Sequence, residues 1–489
     1  MIMKKLIALA LGLACMETMN AKVLLPEIIG DNMVLQQQTK VNLWGKSAAQ
    51  KEIKVTADWS NESFSTKSDK DGQWIISIPT PSASYTPHSL TISDGDLLTL
   101  SNVLIGEVWF TSGQSNMEMP LNGFWNCPVS NSNEEIATAA EWAGRIHMAT
   151  IPKTGKREIQ EEVSGKWEVP SSNTAPYMSA TSWYFAKMLT RSLNVPVGII
   201  CCAWGGSRVE GWTPEAILRT YQDINLDDEL KRGWNGQWWE YWSPLVMYNG
   251  MLHPLRHYTI KGFLWYQGEA NVGKEKDYAP RLSTMVDVWR KEFSEDQANP
   301  LNDQLPFYLA EIAPWGGYGG NDGESGALLR EAQHDAGERV IKNSGCITTN
   351  DLVKPWEATQ IHPAEKEQVG YRFAYMALNR TYGMKNIVCD GPEYDHHTIK
   401  GSELEVFFKY ADDGISPWED VRGFEIAGAD GVFKQANVKF NESNKSYILS
   451  NPDISDQKEV RYCFKNFQIG NVVNHRNLPL VPFRSDRSK

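Results

Sequence analysis

The pattern of hydrophobic and polar positions divides the chain into three regions. From residue 22 to residue 105, short runs rich in β-branched residues, such as Ile53-Lys-Val-Thr-Ala57, are separated by turn residues such as Asp69-Lys-Asp-Gly72. This pattern is typical of strands with one exposed face joined by tight turns. We therefore expect a small N-terminal β-sandwich over residues 22–105.

Between residues 106 and 385, apolar runs alternate with segments of helical spacing. Val195-Pro-Val-Gly-Ile-Ile-Cys201 and Ile260-Lys-Gly-Phe-Leu-Trp265 are examples of such runs, and Tyr278 to Phe293 has helical spacing. Apolar runs of this kind are typical of strands buried on both faces of a parallel sheet. The alternation predicts a three-layer α/β domain with a mainly parallel sheet.

The last region, residues 386–489, returns to short strands such as Leu404-Glu-Val-Phe-Phe408 and Val460-Arg-Tyr-Cys-Phe464. Glycine, asparagine and aspartate separate these runs, which is the chemistry of turns. A second β-sandwich is the expected structure.

The first residues have the features of a secretory signal. Two lysines precede the apolar run Leu6–Cys15, which is too short to span a bilayer as a stable helix. We expect a signal peptide over residues 1–21 and a secreted or periplasmic protein, with lipid attachment at Cys15 as the alternative. No other segment reaches about 18 uninterrupted apolar residues, so no transmembrane helix is expected.

Composition narrows the classes of partner. The chain has 489 residues, of which 41% are hydrophobic, and a formal net charge of −12. A negative net charge argues against nucleic acid as a partner, since nucleic acid favours a basic face. The six cysteines beyond the signal form no C-x-x-C pair, and no metal site is expected.

Candidate chemistry lies in the loops after the apolar runs, because ligands of open α/β sheets bind beyond the carboxyl ends of the strands. Ser115 follows one such run, in Gly113-Gln-Ser-Asn-Met117. A serine at a strand-to-helix turn can be a nucleophile, and it can equally be a helix N-cap. The local sequence leaves both alternatives open.

Two further loops carry glycine or amide residues. Gly205 and Gly206 follow the run that ends at Cys202, and paired glycines let backbone N–H groups approach a ligand. Gln267 and Asn271 follow the run that ends at Trp265, and amide side chains can donate to an oxyanion. A plain turn and a solvated polar loop are the alternatives.

His362 lies late in the same predicted domain, in Gln360-Ile-His-Pro-Ala-Glu-Lys366. A serine nucleophile needs a general base with a pKa near neutrality, which is the usual role of histidine. Taken alone, a histidine in such a loop is more often a surface residue.

Taken in order, these stretches resemble the sialate O-acetylesterase family of the SGNH hydrolases, over nearly the whole chain beyond the signal. The resemblance rests on Ile29-Gly-Asp-Asn-Met-Val-Leu-Gln36, Gly106-Glu-Val-Trp-Phe-Thr-Ser-Gly-Gln-Ser-Asn-Met-Glu118, Gly262-Phe-Leu-Trp-Tyr-Gln-Gly-Glu-Ala-Asn271, Leu329-Arg-Glu-Ala-Gln333, Ile361-His-Pro363 and Gly423-Phe-Glu-Ile-Ala-Gly428. It implies an SGNH-hydrolase, flavodoxin-like domain over residues 106–385, flanked by the two β-sandwiches.

The resemblance also implies roles for individual residues. Ser115 is expected to be the nucleophile and His362 the general base. The backbone N–H groups of Ser115 and of Gly206 or Gly205, with the side chain of Gln267 or Asn271, are expected to form the oxyanion hole. No cofactor is expected in such a mechanism.

One position departs from the family pattern. Many relatives have aspartate two residues before the histidine, and this chain has Gln360. A neutral amide can orient an imidazole but cannot stabilise imidazolium as a carboxylate does. Asp351 or Glu357 is an alternative third member, and a Ser-His dyad is another.

The substrate implied by the resemblance is an O-acetylated sialic acid, with water as the second substrate. Arg208 and Arg330 are candidates to bind its carboxylate, and Trp204 is a candidate to pack against the sugar ring. The residues alone would suit any acetylated glycan, including xylan or pectin. A carbohydrate-binding protein without catalytic activity is the alternative of a different class.

Overall fold

A computed structural model describes residues 22–237, 239–294 and 304–487 of the chain. The predicted signal peptide, with Cys15, lies outside the described residues. Within these ranges, no helix combines the length and the apolar character needed to cross a membrane.

The N-terminal region consists of strands, as its alternating pattern predicts. They are β1 (Val34–Gln36), β2 (Lys40–Lys46), β3 (Glu52–Ala57), β4 (Ser63–Lys67), β5 (Gln73–Pro79), β6 (Ser84–Ser93) and β7 (Leu97–Gly113). Strands β2 and β5 form one antiparallel pair, while β4, β3, β6, β7 and β1 are joined in the other sheet. The burial pattern of β3 alternates strictly between exposed and buried residues, as expected for a strand with one core-facing side.

Strand β7 belongs to two regions at once. Its first half pairs with β6, and its second half pairs with the strands of the central sheet. The domain boundary expected at residue 105 therefore falls inside one continuous strand. The N-terminal strands and one face of the central sheet share a single hydrophobic core, which contains Val41 as well as Phe263.

The central sheet is mainly parallel. Besides β7 it contains β8 (Ile146–Thr150), β9 (Trp167–Glu168), β10 (Val197–Ala203), β11 (Gly262–Tyr266), β12 (Phe307–Ala310) and β13 (Ser344–Ile347). The spatial order is β13-β12-β11-β7-β10-β8-β9, and only β9 in this series pairs antiparallel. After β7 the chain enters β8 and β9 at one edge, returns to β10 beside β7, and then continues outward on the other side through β11, β12 and β13, which makes β7 the topological switch point.

Helices cover both faces of this sheet. The α-helices are α1 (Ser115–Glu118), α2 (Ser132–Thr138), α3 (Ala180–Leu193), α4 (Glu215–Leu218), α5 (Leu226–Trp234), α6 (Glu275–Glu292), α7 (Ser325–Asp335) and α8 (Glu367–Met376). Neighbouring residues of β7 point to opposite faces: Trp109 packs against Phe185 of α3, and Phe110 packs against Trp289 of α6. The apolar strands are thus buried on both sides, as their sequences predict.

The C-terminal region forms separate β-sheets. Its strands are β14 (Glu393–Lys400), β15 (Glu403–Lys409), β16 (Ile415–Ser416), β17 (Phe424–Ala427), β18 (Lys434–Gln435), β19 (Asn437–Asn441), β20 (Ser446–Ser450), β21 (Glu459–Tyr462), β22 (Val473–Asn474) and β23 (Phe483–Arg484). Two four-stranded sheets, β14-β15-β20-β19 and β18-β17-β21-β23, enclose a core of their own. Asn466 joins this region to the central one, because its carbonyl accepts from Trp315 and its side chain accepts from Gly326.

Candidate active site

Ser115 begins α1 directly beyond the carboxyl end of β7. Gly113, the last residue of the strand, has a φ of 135°, and a Cβ there would lie 2.2 Å from the carbonyl oxygen of Tyr266 in β11. The backbone N–H of Gln114 donates to the same carbonyl at 2.9 Å. Strand β11 thus fixes a turn that only glycine can make, and the turn leaves Ser115 half-buried.

The glycine pair after β10 lies against this serine. A Cβ on Gly205 would be 3.2 Å from the Cβ of Ser115, so the two backbones are close neighbours. The N–H of Gly205 donates to Oε2 of Glu118 at 2.6 Å. That bond fixes the loop. Because it uses the N–H of Gly205, this group is not free to bind an oxyanion.

Gly206 lies at a position that requires glycine, and its backbone N–H is unused among the described residues. Its φ is 80°, and a Cβ there would lie 2.5 Å from the ring of Tyr241, so glycine is required on both grounds. Within the described residues, neither the N–H of Gly206 nor that of Ser115 donates a hydrogen bond. Two backbone donors near the serine are therefore free to bind an oxygen.

Gln267 is fully buried after β11, and its amide hydrogens are both used. Nε2 donates to the carbonyl of Ser207 at 3.0 Å and to Oδ1 of Asn271 at 2.8 Å, and Oε1 accepts from Tyr278 at 3.1 Å. An amide nitrogen carries only two hydrogens. Gln267 therefore has none to donate to a substrate and instead fixes the loop after β10.

Asn271 is also buried but retains one unused hydrogen. Its Oδ1 accepts from Gln267 and from the N–H of Val209, and its Nδ2 donates to Glu210 at 3.0 Å. The second hydrogen of Nδ2 has no partner among the residues that the structure describes. Of the two amide candidates for the oxyanion hole, only Asn271 keeps a donor.

Asn116, next to the serine, connects three loops. Its Nδ2 donates to Oε1 of Glu269 at 2.6 Å and to the carbonyl of Ile361 at 3.1 Å. Its Oδ1 accepts from Nζ of Lys366 at 2.9 Å. The turn that carries Ser115 is thereby held against the loop that carries His362.

His362 lies half-buried in the loop that precedes α8. Its ring lies edge-on to Phe124, with 5.3 Å between centroids, and Nδ1 is 3.7 Å from Sγ of Cys127. Burial and then the charge of Lys366 lower the pKa of His362 to about 4. The imidazole is therefore neutral at pH 7 and able to accept a proton. No hydrogen bond joins it to the Ser115 hydroxyl within the described residues.

Among the described residues, none of the three candidates for a third member forms a hydrogen bond with the imidazole. Asp351 forms a two-pronged ion pair with Arg372, at 2.7 and 2.6 Å. Glu357 accepts from the backbone of Lys354 and Ala364 at its two oxygens. These bonds shape the loop without reaching the histidine ring.

Gln360 comes nearest, through another residue. Its Oε1 accepts from the backbone N–H of His362 at 3.1 Å and from the thiol of Cys127 at 3.4 Å. Its Nε2 donates to the carbonyl of Asn126 at 3.2 Å. The thiol of Cys127 therefore stands between this amide and Nδ1 of the imidazole.

The candidates for substrate binding differ in access. Arg208 is half-buried, with its guanidinium carbon 5.9 Å from the ring centroid of Trp242, and Trp204 is partly buried against the core. Arg330 is only 1% exposed and donates to the carbonyl of Lys465 in the C-terminal region. A substrate carboxylate has no access to Arg330, which corrects that expectation.

A cavity of about 380 Å³ opens beside the serine turn. Glu118 and Phe124 line it, and these residues contact Gly205 and His362 respectively. Lys153, also in the lining, lies 2.5 Å from Oε1 of Glu118. The cavity is therefore lined by neighbours of the candidate catalytic residues and carries an ion pair.

Trp239 and Tyr241 form an aromatic surface next to Gly206. The rings of Trp239 and Tyr241 are stacked, with 6.2 Å between centroids and 5° between planes, and Trp239 is 65% exposed. Tyr241 is the residue that contacts Gly206. An exposed aromatic face in this place is suited to pack against a sugar ring.

No role for Asn116, Lys366, Cys127 or Tyr241 follows from the sequence. Asn116 lies one position after Ser115, and Lys366 lies four positions after His362, but only their three-dimensional contacts reveal the connection.

Within the described ranges, no group of three or more His, Cys, Asp or Glu side chains is arranged to hold a metal ion.

Comparisons with known proteins identify the class. A family model described as carbohydrate esterase, sialic acid-specific acetylesterase matches residues 105–379. The human sialate O-acetylesterase is 27% identical over 390 residues, covering 74% of this chain and 72% of the human protein. The mouse sialate O-acetylesterase is 26% identical over 366 residues, covering 68% of this chain and 66% of the mouse protein.

A solved structure agrees with these relatives. A carbohydrate acetylesterase from Xanthomonas citri superposes with a TM-score of 0.82 at 29% identity, covering 95% of this chain and 100% of that one. The fold and the relatives together define a carboxylic ester hydrolase. The chain belongs to the family of carbohydrate esterases described as sialic acid-specific acetylesterases, and the family resemblance seen in the sequence is confirmed.

Proposed function

We propose that this chain is an esterase that removes O-acetyl groups from sialic acids through an acetyl-enzyme on Ser115, with His362 as general base. In this proposal the catalytic domain is of the SGNH, flavodoxin-like type. Membership of a carbohydrate esterase family supports the reaction class. The assignment of residues rests on the geometry around Ser115.

The observation that carries the proposal is the pair of free backbone donors beside the serine. The N–H groups of Ser115 and Gly206 have no partner among the described residues, and Gly205 packs directly against the serine. Preorganised donors aimed at a developing oxyanion are usually the largest single contribution to acyl-transfer catalysis. Asn271 can add a third donor through its unused amide hydrogen.

The mechanism follows from these parts. Ser115 Oγ attacks the acetyl carbonyl carbon as His362 takes the hydroxyl proton, and the oxyanion is bound by the backbone N–H groups. The C–O bond to the sugar then breaks, and the sugar oxygen receives the proton from His362. Water attacks the acetyl-serine in the same way, with His362 again as base, and acetate leaves.

The low pKa of His362 fits a base that is charged only during the reaction. The free imidazole is neutral at pH 7 because burial and Lys366 disfavour its cation. The oxyanion forms as the imidazole gains its proton, and opposite charges close together stabilise each other in a poorly solvated site. The imidazolium form of His362 is thus favoured in the transition state and disfavoured in the free enzyme. Stronger stabilisation of the transition state than of the ground state is the condition for catalysis.

Two observations bear on the substrate. Arg208 is a cation near the aromatic surface, and an arginine can bind the carboxylate of a sialic acid. The stacked pair Trp239 and Tyr241 would accept any sugar ring, and this favours other acetylated glycans as the second candidate. The relatives named sialate O-acetylesterase support the first.

Release of acetate from purified protein tests the function. O-acetylated sialic acid, acetylated xylan and 4-nitrophenyl acetate are compared side by side, with the variant Ser115→Ala in parallel. We expect the wild type to prefer the sialic acid and Ser115→Ala to lose activity by a factor of roughly 10⁴ or more, as removal of a nucleophile does.

The control is Ser112→Ala, which alters a fully buried serine on β7 outside the turn. It is expected to retain activity. Full activity in Ser115→Ala would remove this serine from the mechanism. Absence of acetate release from all three substrates by the wild type would favour the non-catalytic carbohydrate-binding alternative, and preference for xylan would reassign the substrate.

A further inference from the structure

We propose that Lys366 is a positioning residue that, through Asn116 and the carbonyl of Pro363, holds the serine turn against the histidine loop and places a positive charge near His362. This inference rests on the proposed function. It assigns a task to a buried cation that takes no part in the bond-making and bond-breaking steps.

Both ends of the Asn116 side-chain amide are hydrogen-bonded. Its amide nitrogen donates to Glu269 and Ile361, and its oxygen accepts from Lys366. Asn116 is completely buried, and Thr181 donates to its carbonyl at 3.2 Å. These bonds reach three segments, namely the loop after β11, the loop before α8 and helix α3, so the residue next to the nucleophile is held in place from several sides.

Lys366 is likewise buried and hydrogen-bonded. Its side chain is 1% exposed, and Nζ donates to Asn116 at 2.9 Å and to the carbonyl of Pro363 at 2.7 Å. Pro363 directly follows His362. The ammonium group therefore binds both the residue after the nucleophile and the residue after the base.

Burying a lysine is unfavourable, and this one is only partly compensated. Burial lowers the pKa of Lys366 to about 8, against the opposing charges of Glu269, Glu357 and Glu365. The carboxyl of Glu269 accepts from Asn116 through Oε1, while its Oε2 is buried without a partner among the described residues. Burial raises the pKa of Glu269. A neutral side chain at position 366 would fill the space without this cost.

The charge of Lys366 acts on the pKa of His362. The groups packed around its ring are Phe124, Cys127 and the loop itself, and Lys366 is the charged residue that lowers its pKa beyond the effect of burial. A cation near an imidazole disfavours a second positive charge. Lys366 thus keeps the base unprotonated as the surroundings become acidic, while Asn116 keeps it in place.

The chain offers a matched control in Lys187 of α3. Its side chain is also buried, at 9% exposed, and it pairs with Glu135 at 2.7 Å. No contact joins it to Ser115 or His362 among the described residues. Removing Lys187 therefore costs a buried ion pair without affecting the proposed arrangement.

The test follows the His362 ring by NMR titration of the full chain labelled at histidine, with its signal assigned by its loss in His362→Gln. Lys366→Met is expected to raise the pKa of His362 by about one unit, as the loss of a neighbouring cation should. Lys366→Arg retains the charge and should leave the pKa near the wild-type value. Lys187→Met should leave it unchanged. An unchanged His362 pKa in folded Lys366→Met would overturn the charge role.

Kinetics test the positioning role with a variant that leaves Lys366 in the chain. Asn116→Ala keeps Lys366 and its charge, so kcat should fall by roughly 10- to 100-fold with little change in KM, as misplacement of catalytic groups predicts. Unchanged kcat in this variant would overturn the positioning role. Because the titration needs no substrate, it can fail or succeed independently of the proposed esterase activity.

Discussion

The Nδ1 atom of His362 lies 3.7 Å from the thiol sulfur of Cys127. In Ser-His-Asp triads a carboxylate occupies this place and stabilises the imidazolium ion. Here the thiol donates onward to Oε1 of Gln360 at 3.4 Å, so two neutral groups in series support the base. Such an arrangement can orient the ring but contributes little to stabilising its charge.

Replacing this thiol should weaken the orientation of His362. We expect Cys127→Ala to lower kcat by about 2- to 10-fold, which corresponds to the loss of one modest hydrogen bond. Cys127→Ser should retain most activity, because a hydroxyl can serve the same two partners. Initial rates of acetate release measure both variants.

The control for this pair is Cys389→Ala, since Cys389 is as buried as Cys127, at 9% exposed each, and lies beside Asp390 instead. Its rate should match the wild type. Equal rates for Cys127→Ala and the wild type would mean that the ring needs no partner at Nδ1.

The pH dependence of activity should follow the low pKa of His362. A protonated imidazole cannot take the serine proton, so activity is lost as pH falls through the folded-state pKa of about 4. We expect kcat/KM to stay level from pH 7 to pH 5 and to fall near pH 4, since kcat/KM reports the free enzyme. Acetate release from a neutral ester, such as acetylated xylan or 4-nitrophenyl acetate, avoids titration of the substrate. A fall in kcat/KM between pH 7 and pH 6 would instead indicate that the pKa of His362 is close to that of a solvated imidazole.

The sequence predicted the elements of the central domain well, for a physical reason. The apolar runs that precede Ser115, Gly205 and Gln267 are the strands β7, β10 and β11, and these are neighbours in the sheet. Residues at the carboxyl ends of adjacent parallel strands must lie close together. The candidate loops were therefore brought together by topology alone.

Contacts that depend on three-dimensional packing could not be predicted in this way. Asn116 and Lys366 are separated by 250 positions, and nothing in their spacing indicates a bond between them. The commitment of Gln267 to Ser207 is equally invisible in the sequence. The boundary predicted at residue 105 lies within strand β7, which pairs with both regions, and this continuity is not visible in the sequence pattern.

Gly206 should tolerate no side chain. A Cβ there meets the ring of Tyr241 at 2.5 Å, and its φ of 80° disfavours any other residue. In Gly206→Ala the loop must shift, so we expect the oxyanion donor to be misplaced and kcat to fall by roughly 100-fold or more. KM should change far less.

Gly236→Ala is the control for backbone strain. Gly236 has a similar φ of 69°, but no atom lies within 4 Å of a Cβ built on it. It should lose some stability and keep its kcat. If both variants lost activity equally, strain in the loop would explain the effect and the oxyanion role of Gly206 would have no support.

Two arginines should respond differently to substitution, because one is accessible and the other is buried. Arg208 is half-buried beside Trp242, so Arg208→Met is expected to raise KM for O-acetylated sialic acid by about 10-fold or more, as loss of a charge-assisted hydrogen bond predicts. KM for a neutral acetylated xylan should not change. The comparison of the two substrates separates loss of charge recognition from a general disturbance of the site.

Arg330→Met should change the stability of the protein and leave substrate binding unchanged. Its side chain is 1% exposed and binds Lys465 in the C-terminal region, while its Nε and Nη1 are buried without partners among the described residues. We expect KM for both substrates to be unchanged and the thermal unfolding midpoint to shift. A selective rise in KM for the sialic acid in Arg330→Met, with none in Arg208→Met, would reverse the assignment and would require the C-terminal region to open during binding.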